Sequence, residues 1–382
     1  MKQVLHLASW YPNKKNSQEG DFIQRQLQAL SIYQPVYVIA LFKDEHKHPG
    51  AIAVQQTSTG NLHETIAYYN SRITGIKKVD AFLSFVSYQK YFRKLIREHI
   101  VKFGKPDLIH VHVAFRAGMF ALWLNRKLKL PYIVSEHWTG YKIEDQQGIF
   151  FQPSPIKALI RKILDQAKMI LPVSIDLADD IKRHSSNQNI IVVQNVVNET
   201  YFNPSQTSAS EIFRFLHVSM MVPQKQPELL FKAFKEFTRT RKAELICLGE
   251  VPAELATKLK DDRAAQDNII FKGIVPYEQV AEMMKKCDCL LITSLYETFS
   301  CVAVEALLSG LPVISTRVGI LPELIDETNG IIIETHAELV SAMEKIWQNK
   351  SHYDRQKIAA AQKGKFSYEH IGARLVEVYN SL

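Results

Sequence analysis

Short apolar runs alternate with amphipathic stretches along most of this 382-residue chain. Runs of two to eight residues, bounded by Gly, Pro or polar clusters, have the composition of buried parallel strands. They fall at 1–8, 36–42, 106–112, 131–135, 170–174 and 190–197, then at 213–218, 245–248, 269–275, 290–292 and 313–314. Between them come helical patterns. Phe22, Leu27 and Leu30 begin one, residues 81–103 form a long one, another starts near Ser300, and the last occupies 366–382. Residues 43–80 are polar and irregular, and read as an insertion or mobile loops.

Strands and helices alternate in both halves without an internal repeat, which predicts two α/β domains with parallel sheets, each Rossmann-like. The length is too great for one ordinary core. The expected division is 1–200, joined by the crossover helix at 366–382, and 211–365, with the polar run 203–210 as linker.

A hydrophobic content of 46% and a charged content of 23% suit a soluble globular protein. No apolar run reaches the roughly 20 residues of a spanning helix, and residues 1–8 read as a strand rather than a secretory leader. Localisation is expected to be cytoplasmic, with the inner membrane face as a place of peripheral contact. Four cysteines show no framework spacing and are expected as free thiols. The net charge of +8 is uneven: residues 1–200 carry 26 Lys and Arg against 16 Asp and Glu, the remainder 21 against 23. The helix at 81–103 contributes Lys90, Arg93, Lys94, Arg97 and Lys102 between Phe82, Phe85, Tyr88, Phe92, Ile96, His99 and Phe103. Such a helix can lie on an anionic membrane surface; equally, its apolar stripe can pack on the sheet with the bases solvated. No nucleic-acid module appears, so nucleic acid is not an expected partner.

The densest chemistry lies in residues 287–322. The apolar Leu290-Leu291-Ile292 leads into a polar turn carrying Glu297. A helix follows from about Ser300 with Glu305 on it, and Gly310-Leu311-Pro312 ends it before Val313. Ligands of open parallel sheets bind outside the carboxyl ends of the strands, where a helix N-terminus offers N–H groups and positive dipole to an anion. The run Glu297-Thr-Phe-Ser-Cys, then Glu305-Ala-Leu-Leu-Ser-Gly-Leu-Pro-Val-Ile, with Gly319 and Leu321-Pro322-Glu323 downstream, resembles the Glu-x(7)-Glu signature of retaining family-4 glycosyltransferases with the GT-B fold. The resemblance is strong in the second half and loose in 1–105. It implies two Rossmann-like domains facing a cleft, with the C-terminal helix crossing back to the first. The first domain would bind the acceptor and the second a nucleotide-diphosphate sugar.

The resemblance also implies roles. Glu297 would meet the donor sugar, Glu305 the ribose hydroxyls, and Lys225 the departing diphosphate. The N–H groups of Phe299, Ser300 and Cys301 would add donors. Gly249 and Gly273 end strands that approach the nucleotide, and Gly20 sits in the loop before the first helix, where a phosphate can approach the backbone. His137, at a strand end, would face the donor sugar, with His112 and Glu136 as lesser candidates. No cofactor is expected, and no metal, since no His or carboxylate cluster has ligand spacing. The acceptor would be a saccharide or lipid-linked compound of cell-surface polysaccharide or glycolipid synthesis. Two positions depart from the family. Ser219-Met220 stands where Gly-Arg is usual, leaving Lys225 as one of two cations, with Arg317, Arg25 or Lys14 as candidate substitutes. Val196 replaces a Gly in the interdomain stretch. Two other classes share the architecture: a nucleotide-sugar epimerase, and a degenerate non-catalytic partner subunit.

Overall fold

The computed structural model describes residues 2–45, 48, 50–204, 212–260 and 268–382. The chain forms two compact units, Met1–Val196 with Tyr368–Leu382, and Val197–Ser367. The linker expected at 203–210 lies outside the described residues from 205 on.

The first unit is built on a seven-stranded sheet of order β3-β4-β2-β1-β5-β6-β7. Its strands are β1 (Val4–Ala8), β2 (Val36–Lys43), β3 (Ile52–Thr59), β4 (Leu62–Tyr69), β5 (Leu108–His112), β6 (Tyr132–Glu136) and β7 (Ile170–Pro172). β1, β5 and β6 are buried along their whole length, as parallel strands covered on both faces must be. The second unit holds six parallel strands in the order β10-β9-β8-β11-β12-β13. These are β8 (Phe213–Val218), β9 (Ala243–Leu248), β10 (Ile269–Gly273), β11 (Cys289–Ile292), β12 (Val313–Thr316) and β13 (Gly330–Ile333).

Three expectations need correction. Residues 43–80 are not loops: β4 continues the parallel sheet beside β2, and β3 folds back antiparallel on β4. β3 lies at the sheet edge with most of its side chains exposed, so it carries Gln55, Gln56, Thr57 and Ser58 and has a loop's composition. Residues 190–197 do not form a strand. Ile191 N–H and Val193 N–H each reach a carbonyl of β7, and Val193 and Val196 are core residues, but pairing is confined to one bridge, Ile170 with Ile190. The third concerns the long helix, which runs Lys77–Phe103 and divides in two. Its second half packs on the sheet through Tyr88, Tyr91, Phe92, Leu95 and Ile96, with Phe92 stacked on Phe120 at 4.2 Å. Its first half leaves Phe82 and Phe85 65% and 50% exposed.

The C-terminal helix Tyr368–Asn380 belongs to the first unit. Ile371, Leu375, Val378 and Tyr379 join the core formed by Val4, Ile23, Leu27 and Leu30. Gly372 permits the close crossing of helix Asp21–Ser31: a Cβ there would stand 2.3 Å from the Ala29 carbonyl oxygen.

Candidate functional site

In the second unit the chemistry of the sequence pattern gathers at the carboxyl ends of β8 and β11. The apolar β11 ends at Ile292, and the next side chains turn polar and buried. Thr293 Oγ1 donates to the Lys225 carbonyl at 2.7 Å, Leu295 N–H to the Gln224 carbonyl at 2.8 Å, and Gln224 Nε2 to the Tyr296 carbonyl at 2.7 Å. These bonds sew the loop after β8 to the turn after β11. They bring Lys225 Nζ onto Glu297 Oε1 as an ion pair, and Ser294 Oγ donates to the same oxygen at 2.8 Å. Gly319, at φ +54°, lets the segment after β12 pass this turn, because a Cβ would sit 2.9 Å from the Thr298 carbonyl oxygen.

The helix behind the turn runs Cys301–Leu308, and Ser300 caps it, its Oγ accepting from Ala303 N–H at 3.4 Å. Phe299 is buried with its ring edge-on to Phe366, and the half-buried Cys301 is the first helical residue. Glu305 is buried one turn further on, and its Oε1 accepts from the Tyr277 hydroxyl at 2.6 Å. Tyr277 opens the helix Tyr277–Lys286 after β10, and its ring meets Phe202 edge-on at 5.1 Å. Nothing in a single sequence marks it as a partner of Glu305.

His217, in β8, is a second residue that spacing did not reveal. Its Nδ1 lies 3.0 Å from the Leu291 carbonyl and its Nε2 2.7 Å from Ser219 Oγ. A carbonyl only accepts, so Nδ1 carries the proton and Nε2 accepts from the serine. Burial holds the imidazole neutral, with its pKa lowered to about 4. Ser219 is thereby fixed over Gly249, whose φ of +116° and lack of a Cβ are both required: a Cβ would be 1.9 Å from the Ser219 carbonyl oxygen. Gly249 N–H donates to the Gly273 carbonyl at 2.8 Å, and Gly273, at φ +68°, has open space where a Cβ would point. Met220 is 43% exposed. Each of the three candidate cation substitutes already has an ion-pair partner. Arg317 is paired with Glu334 on the surface, while Lys14 pairs with Asp44 and Arg25 with Asp21 in the first unit.

In the first unit Glu136 ends β6, fully buried. It accepts from the N–H groups of Ala114, His137 and Trp138 and from the Tyr141 hydroxyl, all between 2.8 and 3.1 Å. Desolvation raises its pKa and these bonds oppose the rise. Glu136 thus organises the loop that carries His137 and Trp138. His137 is buried against Phe22, ring centroids 4.8 Å apart, and desolvation lowers its pKa to about 3. Gly20, at φ +66°, caps the first helix and lies so close to Trp10 and Tyr11 that a Cβ would be 2.7 Å from backbone.

No ligand spacing in the sequence marks a histidine cluster, but strand pairing assembles one. β1 and β5 pair in parallel with His6 opposite His110, and His112 lies two residues on, so the three buried imidazoles share one face. His6 Nδ1 contacts His112 Nε2 at 3.1 Å. The donor set fits a metal poorly. Both nitrogens of His110 are engaged, by the Tyr379 hydroxyl at 2.6 Å and by Ser135 Oγ at 2.8 Å, and its ring stacks on His112 at 4.3 Å.

Known proteins agree with this architecture. Residues 37–201 match the family described as Glycosyltransferase Family 4, and residues 200–363 that described as Glycosyl transferases group 1. An uncharacterized glycosyltransferase of Methanocaldococcus jannaschii is 28% identical over 63% of this chain and 64% of its own length. The chain spans between 56% and 64% of the length of the first four curated relatives it matches. The sucrose-phosphate synthase of Thermosynechococcus elongatus superposes with a TM-score of 0.79 at 18% identity, covering 100% of this chain and 99% of that one. Anabaena HepE in complex with UDP-glucose gives 0.72 at 14% identity, with 100% of both chains covered. With its two halves matched in succession, and two parallel-sheet domains of the GT-B kind, the chain belongs to the family-4 glycosyltransferases.

Proposed function

We propose that the chain transfers a sugar from a nucleotide-diphosphate sugar to a hydroxyl acceptor with retention at the anomeric carbon. The observation that carries this is the turn after β11, where Lys225, Glu297 and the capped start of helix Cys301–Leu308 converge. A diphosphate placed there would take Lys225 from Glu297 and accept from the first N–H groups of the helix, which have no intrahelical partners. Glu297 would then turn to the donor sugar's hydroxyls, and Glu305, steadied by Tyr277, to the ribose. His137, neutral, would hydrogen-bond a sugar hydroxyl. The family resemblance and the UDP-glucose bound by the HepE neighbour support this choice of donor.

With Glu297 assigned to the donor sugar's hydroxyls rather than to its anomeric carbon, the reading is displacement on one face. The bond from the anomeric carbon to the phosphate oxygen breaks as the acceptor oxygen bonds, and the acceptor proton passes to the departing diphosphate. The acceptor belongs to polysaccharide or glycolipid synthesis. Contact with an anionic membrane through the exposed start of helix Lys77–Phe103 accords with a lipid-linked acceptor. Among the described residues no helix is long and apolar enough to cross a membrane.

The experiment is calorimetric titration with UDP-, GDP-, ADP- and dTDP-sugars beside Lys225→Ala, followed by NMR of the product's anomeric proton. One nucleotide bound by the wild type, weakened in the variant, and a product of unchanged configuration are expected. Silence across the panel favours a non-catalytic partner, with Met220 as the reason. Interconversion of a donor without acceptor favours an epimerase, and an inverted product or a trapped glycosyl–enzyme adduct overturns the mechanism.

A further inference from the structure

The first unit holds a cavity of about 380 Å³ at the carboxyl ends of β1, β2, β4, β5 and β6. Its position follows from the sheet order. The chain leaves β1 toward β2 and β4 on one side and returns to β5 on the other, and ligands of such sheets bind where the order reverses. The volume lies within the range of small-molecule sites, about 300 to 1,000 Å³.

The rim between β1 and β5 is firmly built. Ser9 Oγ lies 2.6 Å from the Phe115 carbonyl and 2.9 Å from that of Val113, and accepts from Ala117 N–H at 3.0 Å. Held this way, Val113 and Arg116 adopt φ of +66° and +74°, a conformation unfavourable for a β-branched residue. The aromatic rings of Trp10, Phe115 and Trp138 line the space, and those of Phe115 and Trp138 lie within 21° of parallel. Flat aromatic faces suit the C–H face of a pyranose. Arg116 also lines the cavity, and its guanidinium makes no hydrogen bond or ion pair among the described residues. Glu19, the one carboxylate on the lining among the described residues, accepts from Asn13 Nδ2 at 2.9 Å. Lys43 adds a second cation, with a loose pairing to Glu45 at 3.5 Å on the surface. The cavity thus combines aromatic walls with a guanidinium that no carboxylate pairs among the described residues, although Glu19 stands on the same lining.

We infer that this cavity binds the acceptor, and that the acceptor is a saccharide carrying an anionic group, a carboxylate or a phosphate, which Arg116 receives while Trp138 and Phe115 cover the ring. The acceptor role rests on the transferase reading; the ligand chemistry rests on the cavity alone. A planar guanidinium pairs with either anion through two parallel hydrogen bonds, which a neutral hydroxyl cannot match.

The test is binding of paired probes to the full chain by calorimetry, without donor: hexoses, the matching hexuronates and the matching hexose phosphates. UDP binding and the melting temperature serve as checks that each variant is folded. An anionic member should bind at least about tenfold tighter than its neutral counterpart. Arg116→Gln should erase that preference, Arg116→Lys should restore part of it, and the better of uronate and phosphate names the anion. Equal binding of neutral and charged sugars, no binding by any probe, or a preference untouched in Arg116→Gln overturns the inference. Anion-selective saccharide binding in a chain that binds no nucleotide sugar would sink the transferase reading and leave the cavity's ligand class standing.

Discussion

Lys225 and Glu297, 72 residues apart in sequence, are ion-paired at the carboxyl edge of the second sheet. If a donor uses both groups as proposed, its binding would be an exchange of partners rather than a filling of ready-made charges. Glu297→Gln should therefore leave UDP affinity unchanged or raise it by up to about fivefold, the worth of a partly exposed pair, while transfer falls by two orders of magnitude or more. Lys225→Ala should weaken UDP by about tenfold to a hundredfold. Calorimetry with UDP and a turnover assay on the same preparations separate the two effects, and equal loss of UDP affinity in both variants would refute the exchange.

Two glycines that end neighbouring strands should respond differently to a methyl group. Gly249→Ala must force Ser219 away from a 1.9 Å clash and also strain a φ of +116°, whereas Gly273→Ala meets open space and strains the backbone alone. The first should cost several kcal/mol and the second about 1 to 2 kcal/mol. Denaturant midpoints of the two variants give the comparison.

Removing the Tyr277 hydroxyl takes a 2.6 Å bond from a buried carboxylate. Tyr277→Phe should lose about 1 to 3 kcal/mol of stability. If Glu305 meets the ribose, nucleotide affinity should fall with it, and the affinity for free inorganic diphosphate should not. Binding curves for UDP and diphosphate would show the split.

Acid should destabilise the fold through its neutral imidazoles. Burial lowers His6 and His137 to about 3 and His217 to about 4, while the unfolded chain protonates near the ordinary value of 6.5. Below that value the unfolded state binds protons that the folded state refuses. Stability is complete above about 6.5 and is lost as pH falls toward 3, by up to about 1.4 kcal/mol per unit for each such group. Glu136, raised by burial, has the opposite sign: its contribution is present at acid pH and is lost as pH rises through its folded pKa. Urea unfolding from pH 7.5 to 4.5 should show the fall, and His6→Phe should reduce its slope.

The exposed start of helix Lys77–Phe103 offers a separable readout. Phe82→Ser with Phe85→Ser removes rings that are at least half exposed, so the melting temperature should barely move. Co-sedimentation with vesicles containing anionic lipid should fall severalfold, and a wild type that stays in the supernatant would exclude the membrane contact.

Where local chemistry decided the structure, the sequence was legible. Ser300 has the hydroxyl that caps its helix, and β8 occupies the run 213–218 that its apolar pattern marks. Where partners come from distant segments, it was not. His6 meets His110 through strand pairing, and Tyr277 meets Glu305 through the packing of two helices; neither contact leaves a spacing to read. The edge strand β3 was hidden for another reason. One exposed face and an open edge gave it the polar composition of a loop, while its ladder partner β4 was masked by Glu64 and Thr65 among its apolar residues. The cavity behind Arg116 is assembled from five strand ends, which no window along the chain contains.

The first unit is interrupted in sequence, since its last helix follows the whole of the second. During synthesis the seat for Ile371, Leu375, Val378 and Tyr379 is built long before they emerge, so an apolar groove against Ile23 and Leu27 stays open to water or to chaperones until that helix is made. The second unit, contiguous at Val197–Ser367, can close before the first is finished. A chain cut short before Tyr368 would therefore hold a later half able to fold and an earlier half exposed to proteolysis.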